Sequence, residues 1–220
     1  MSGKRTTSNR PESERVSAGS LGKALVEVGA LRFGKLTLPS GMKSLYDIDL
    51  RLVPSFPDIY TTVLAAYVEL ADRVGDGSFD SVAGVATAGV TISAPLAVML
   101  KKPMMYVRRQ GEVRGEGRIV EGTSRNGASV LLIDDLVSTG SSLVYATGAL
   151  RKEGYVVKDT AVLVDRMEGG GARLARIGVR LNSFATTRDI LAALLDSGLL
   201  KKSQVAPILR RIQRPGAKRS

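Results

Sequence analysis

The chain has 220 residues, 44% of them hydrophobic and 5% aromatic, enough for one ordinary domain with a real core. It contains no Cys and no His, which excludes disulfides, thiolate nucleophiles, Cys- or His-ligated metals, Ser-His-Asp triads and imidazole bases. Of the net charge of +11, residues 201–220 carry +7 and residues 1–15 carry +2, so residues 16–200 hold only +2.

The basicity therefore belongs to the tails, and a solvated tail is expected rather than a nucleic-acid or membrane-surface patch. No apolar run approaches the roughly 20 residues needed to span a bilayer. The first fifteen residues, MSGKRTTSNRPESER, lack the apolar centre of a secretory signal, so a cytoplasmic location is expected.

Residues 1–16 are polar and read as a flexible tail. Leu21, Leu25, Val28 and Leu31 recur at helical spacing and predict a helix over 17–31. Leu36 and Leu38 alternate before a Pro39-Ser40-Gly41 turn, and Tyr46, Ile48 and Leu50 after it, which predicts a hairpin. Ile59, Val63, Tyr67, Leu70 and Val74 mark one face of an amphipathic helix over 58–74.

From residue 81 strand and helix patterns alternate. SVAGVAT and PMMYVRR read as strands, with GVTISAPLAVML as a buried helix between them. The stretch QGEVRGEGRIVEGTSRNG reads as one long polar, glycine-bearing loop. ASVLLID is a strand that should end at the aspartates, followed by a helix near 140–152. YVVKDTAVLVDR is another strand; a further helix, a strand near 178–185 and a helix over 187–197 complete the series. A short helix over 203–213 with a basic end closes the chain. This alternation predicts an α/β fold, a mostly parallel sheet with helices on both faces.

The stretch VLLIDDLVSTGSSL carries the chemistry. Val130–Ile133 reads as a strand covered on both faces, and ligands of open α/β sheets gather at the carboxyl ends of such strands. The hydroxyls of Ser138, Thr139, Ser141 and Ser142, the freedom of Gly140 and a helix N-terminus behind them make a phosphate cradle. Asp134 and Asp135 would repel a phosphate, but they accept hydrogen bonds from sugar hydroxyls or help to hold Mg²⁺. A ligand with a phosphate at one end and a diol in its middle satisfies both halves.

This run resembles the phosphoribosyl pyrophosphate (PRPP) motif of the type I phosphoribosyltransferases. The resemblance implies that fold, with a small hood at about 17–57 on a transferase domain over 17–200. It implies that Asp134 and Asp135 bind the ribose, that Leu136 and Val137 line the PRPP site, and that residues 138–142 hold the 5′-phosphate. Residues Thr87, Ala88 and Gly89 resemble the family's pyrophosphate loop.

The segment FGKLTLPSGMKSLYDIDLR is similar to the N-terminal pattern of orotate phosphoribosyltransferases, through Phe33, Gly34, Thr37, Leu38, Ser40, Gly41, Ser44, Tyr46, Asp49 and Arg51. That likeness implies transfer of the phosphoribosyl group of PRPP to orotate, giving orotidine 5′-monophosphate and pyrophosphate. It places Arg166 against the orotate carboxylate and Ser138 against the base. An arginine fork suits a planar carboxylate, because it donates two parallel hydrogen bonds.

The loop VRRQGEVRGEGRIVEG is similar to the family's lid, expected at about 108–124, which closes over the partner subunit's site; a homodimer is implied. Arg108 and Arg109 match its PRPP-binding cations. Glu112 stands at the catalytic lysine position, Arg114 at the histidine position and Pro39 at a further lysine position. With Asp135, Arg114 is the candidate catalytic residue. Mg²⁺ is the implied cofactor, held mainly by PRPP rather than by protein side chains. Nucleic acid and membrane are not expected partners. The rival readings are a PRPP-binding regulator or catalytically weakened relative, favoured by Glu112 and Pro39, a transferase for another base, and an RNA-binding module built on the basic tail.

Overall fold

The computed structural model describes residues 16–37, 41, 43–112 and 117–212. Helix α1 (Ala18–Glu27) opens with a capping box, in which Ser17 and Ser20 exchange side-chain and backbone hydrogen bonds. It ends four residues before the predicted Leu31. Gly29 takes φ +71°, a left-handed turn that stops a helix, and Leu31 already begins a strand.

Strands β1 (Leu31–Thr37) and β2 (Lys43–Ile48) pair antiparallel, as the alternation predicts. Leu38, Pro39 and Ser40 of the predicted turn lie outside the described residues. A 3-10 segment (Leu50–Ser55), capped by the Asp49 side chain, leads into α2 (Pro57–Val74). Pro57 starts α2 because a first-turn residue needs no N–H for the helix.

The main sheet contains β3 (Ser81–Val85), β4 (Met104–Val107), β5 (Val120–Gly122), β6 (Ser129–Val137), β7 (Val156–Asp165) and β8 (Arg180–Thr186). Their spatial order is β5-β4-β3-β6-β7-β8, parallel throughout except for antiparallel β5. Strand β5 corrects the prediction of one uninterrupted loop from 110 to 127. Three residues are too few for an alternating pattern, and they are ordered by pairing with the edge of β4. A second correction concerns β6, which runs through Asp134 and Asp135 to Val137 instead of ending at the first aspartate.

The helices are α3 (Ala88–Leu100), α4 (Ser141–Lys152), α5 (Gly170–Ala175), α6 (Thr187–Asp196) and α7 (Lys202–Ile212). One core joins α1, α2, α3, α6, α7 and the β1–β2 hairpin to a face of the sheet, through Leu25, Tyr46, Tyr67, Leu96, Leu191 and Ile208. On the opposite face Leu143, Ala146 and Leu150 of α4 and Leu174 of α5 close a second core. Parallel strands covered on both sides bury every residue, as all five of β3 are. Among the described residues no helix is long and apolar enough to cross a membrane.

Candidate active site

A cleft of about 540 Å³ opens at the carboxyl ends of β3, β4 and β6, roofed by the end of β2 and the start of the 3-10 segment. It is lined by the whole run Asp134–Ser142, by Thr87 and Ala88, by Arg108 and Arg109, and by Asp49 and Arg51. Parts of four predicted motifs that are remote in sequence are thus brought together.

Two helix N-termini deliver backbone donors to it. Gly140, at φ +77°, precedes α4, and no side chain caps that helix. Its first-turn N–H groups belong to Ser141, Ser142 and Leu143, all of which line the cleft. The turn packs so tightly on Gly170 that a Cβ on Gly140 would lie 3.1 Å from the Gly170 Cα. Thr87 precedes α3, again with no side-chain cap, and Ala88 opens into the same cleft. Uncapped helix starts carry free N–H groups and the positive end of the dipole, which is what an anion requires. Gly89 does not line the cleft. Its role is packing, since a Cβ there would meet the Ile133 carbonyl at 2.5 Å.

The two carboxylates line the same cleft. Asp134 is 8% exposed. Burial, and then the adjacent charge of Asp135, pushes its carboxyl well above the usual carboxylate range. Burial also raises Asp135, against the hydrogen bond it accepts from the Leu136 N–H at 2.8 Å. Among the described residues no group of three or more Asp or Glu could hold a metal ion. Two carboxylates would suit a Mg²⁺ that keeps most of its ligands from substrate phosphate and water.

The cations around the cleft are each engaged by protein groups. Arg108 pairs with Glu121 at 2.9 Å, and Arg51 pairs with Asp49 through both nitrogens, at 2.7 and 2.9 Å. Arg109 reaches the turn before α3 and donates to the Ala86 carbonyl at 3.3 Å. The Glu112 carboxylate accepts from the Arg109 N–H at 3.2 Å and lies 3.9 Å from the guanidinium. Arg114 lies outside the described residues.

Arg166 stands beside the cleft rather than among its lining residues. Its guanidinium stacks 4.9 Å from the Tyr46 ring centre, donates to the Tyr46 hydroxyl at 3.2 Å and pairs with Glu168 at 3.1 Å. Arg173 carries no motif, and nothing in the sequence marks it. It projects from α5 and donates to the Ser141 hydroxyl at 2.7 Å, which in turn lies 3.0 Å from the Thr139 hydroxyl. Only the folding of α5 against the α4 turn reveals it.

Residues 60–179 match the phosphoribosyl transferase domain family. The chain is 37% identical, over 173 residues, to an orotate phosphoribosyltransferase of Cenarchaeum symbiosum, covering 78% of this chain and 86% of that protein. This chain belongs to the orotate phosphoribosyltransferase family. A relative from Saccharolobus solfataricus, with the same name, is 37% identical across 85% of this chain and 93% of its own length. The crystal structure of the orotate phosphoribosyltransferase from Aeropyrum pernix superposes with a TM-score of 0.73 at 37% identity, covering 82% of this chain and 99% of that one. The fold is thus the type I phosphoribosyltransferase fold, and the chain is a pentosyltransferase.

Proposed function

We propose that the chain transfers the 5-phosphoribosyl group of PRPP to orotate, as a cytoplasmic, Mg²⁺-dependent homodimer. One observation carries the reading: two uncapped helix N-termini and a buried aspartate pair share a single cleft. PRPP has a phosphate at each end and a diol between them, so one cleft offers a partner for each part.

In this reading the 5′-phosphate lies on residues 138–142 and takes hydrogen bonds from the start of α4. Asp134 and Asp135 accept from the ribose hydroxyls and orient the sugar. The pyrophosphate lies over Thr87 and Ala88, where Arg108 and Arg109 offset its charge. When bound, Mg²⁺ supplies a further positive charge at the pyrophosphate oxygens. Arg166, preset by its stack on Tyr46, takes the orotate carboxylate, and Ser138 contacts the base. The bond from the anomeric carbon to pyrophosphate breaks, and a bond to the anionic orotate nitrogen forms, so no protein general base is required. Positive charge grows on the sugar in between. The barrier falls through charge offset at the leaving group, through alignment of base and sugar, and through water exclusion as the lid closes.

Arg114 is the proposed lid cation, with Glu112 holding Arg109 at the lid's base. The apolar helix α3 supports a dimer. Its Val98 is 78% exposed and its Met99 49%, and it contacts the 3-10 segment, whose Leu52 is 41% exposed. A binding-only role is favoured by Glu112 and by Pro39, which lies outside the described residues. Depletion of orotate in the presence of PRPP and Mg²⁺ tests the proposal.

A further inference from the structure

Along a strand, successive side chains face opposite sides of the sheet. Strand β6 obeys this as far as the aspartates: Leu131 and Ile133 enter the α2-side core, while Val130 and Leu132 enter the α4-side core. Continued alternation would send Leu136 to the α4 side and Val137 to the α2 side. The structure shows the reverse, with Leu136 packed on the α2-side core and Val137 inside the other.

The backbone changes phase at the same place. Ser129 presents its carbonyl towards β3, where it accepts from the Asp80 N–H at 2.8 Å, so Asp134 in regular alternation presents its own carbonyl towards β7. Leu136 would be next, yet it is Val137 whose carbonyl accepts from the Arg166 N–H at 2.8 Å. Strand β7 turns over opposite, since Val162 lies in the α4-side core but both Leu163 and Val164 lie in the other. The pairing register does not shift: Asp134 faces Val162 and Leu136 faces Val164. No residue is inserted, so this is a joint rotation of two strands rather than a bulge.

A hydroxyl stands where the rotation occurs. With Asp134 opposite Val162, an unbroken parallel ladder would carry a bond from the Leu163 N–H to the Asp134 carbonyl. Instead the Tyr67 hydroxyl accepts from the Leu163 N–H at 2.9 Å and donates to the Asp134 carbonyl at 2.6 Å. Tyr67 comes from the middle of α2 and has no exposed surface, so its ring cannot swing away. Burial, with the charges of Asp135 and Asp134, holds the phenol well above its ordinary value, and it remains a proton donor.

We infer that Tyr67 is a positioning residue, whose hydroxyl spreads β6 from β7 and so turns both aspartates into one cleft. In a regular strand the two carboxylates would face opposite sides of the sheet. Here both line the cleft. The inference rests on the reading that the pair grips the ribose diol.

The test compares two small ligands by calorimetry, ribose 5-phosphate, which has the diol, and inorganic phosphate, which needs only residues 138–142. Tyr67→Phe keeps the ring and removes the wedge. It should weaken ribose 5-phosphate by about tenfold while phosphate changes by less than about twofold. In a background with both Asp134→Asn and Asp135→Asn the same change should add no further loss, because all three act on the same diol contacts. Val63→Ala, one turn earlier on α2, controls for lost stability and should leave both affinities as in the wild type. Equal loss for the two ligands, no loss at all, or additive losses would each overturn the role of Tyr67. Wild-type protein that binds phosphate but not ribose 5-phosphate removes the diol reading itself, and this inference with it. Independently of any variant, NMR of the wild-type protein should show no coupling across a hydrogen bond between the Leu163 nitrogen and the Asp134 carbonyl carbon; a resolved coupling would mean that the ladder is unbroken.

Discussion

The main-chain N–H of Asp135 donates to the Asp134 carboxylate at 3.0 Å, so the first aspartate of the pair is held by the backbone of the second. The bond fixes the carboxylate but does not offset its burial. Both carboxyls lie above their ordinary range, Asp134 the further. A carboxyl raised in the folded state binds more protons there than in the unfolded chain. Stability therefore falls as pH rises from the unfolded value near 3.8 through the raised folded value. At neutral pH the buried carboxylate pair costs stability. Asp134→Asn should raise the melting temperature of the ligand-free protein at pH 7–8, lose that advantage below about pH 3.8, where both forms are uncharged, and abolish turnover. Thermal unfolding across pH measures this, and a lower Tm at neutral pH would refute it.

In the proposed reading Arg173 extends the phosphate cradle beyond its motif. Because its guanidinium donates to the Ser141 oxygen, the hydroxyl proton of Ser141 is left to donate elsewhere, to Thr139 or to a bound phosphate. Arg173→Ala should raise the KM for PRPP by roughly three- to tenfold and leave the KM for orotate unchanged. Steady-state kinetics with each substrate varied in turn gives the answer; an equal rise in both constants would point to general loosening instead.

If Arg109 binds PRPP as proposed, Glu112 competes with the substrate for it. Its carboxylate caps the Arg109 N–H at 3.2 Å and also draws on the guanidinium, which is half exposed. Glu112→Gln keeps an acceptor for the cap and removes the competing charge. The KM for PRPP should fall by about two- to fivefold with little change in kcat, the scale of a partly exposed ion pair. A rise in KM would show that the charge of Glu112 itself aids binding.

The sequence makes some parts of this molecule legible and hides others, for physical reasons. The apolar run Val130–Ile133 announces an interior strand because both its faces are covered, and the strand–helix alternation from residue 81 announces a mostly parallel sheet. Strand β5 is hidden because its three residues acquire strand geometry only from β4. The continuation of β6 is hidden because a carboxylate pair reads as a strand end, whereas here Tyr67 and the neighbouring strand support it. Tyr67 itself reads as one more apolar position in the stripe of α2, since spacing reports which face a side chain occupies and not where its hydroxyl ends. Arg173 is legible only once α5 has folded against the α4 turn.

The most direct measurement is the loss of orotate absorbance with purified protein, PRPP and Mg²⁺, followed together with pyrophosphate release. Orotate should disappear only when PRPP is present, with one pyrophosphate formed for each orotate consumed. If PRPP binds but neither signal changes, the chain is a binding protein; if pyrophosphate appears only with a different base, the assignment of orotate as acceptor is wrong.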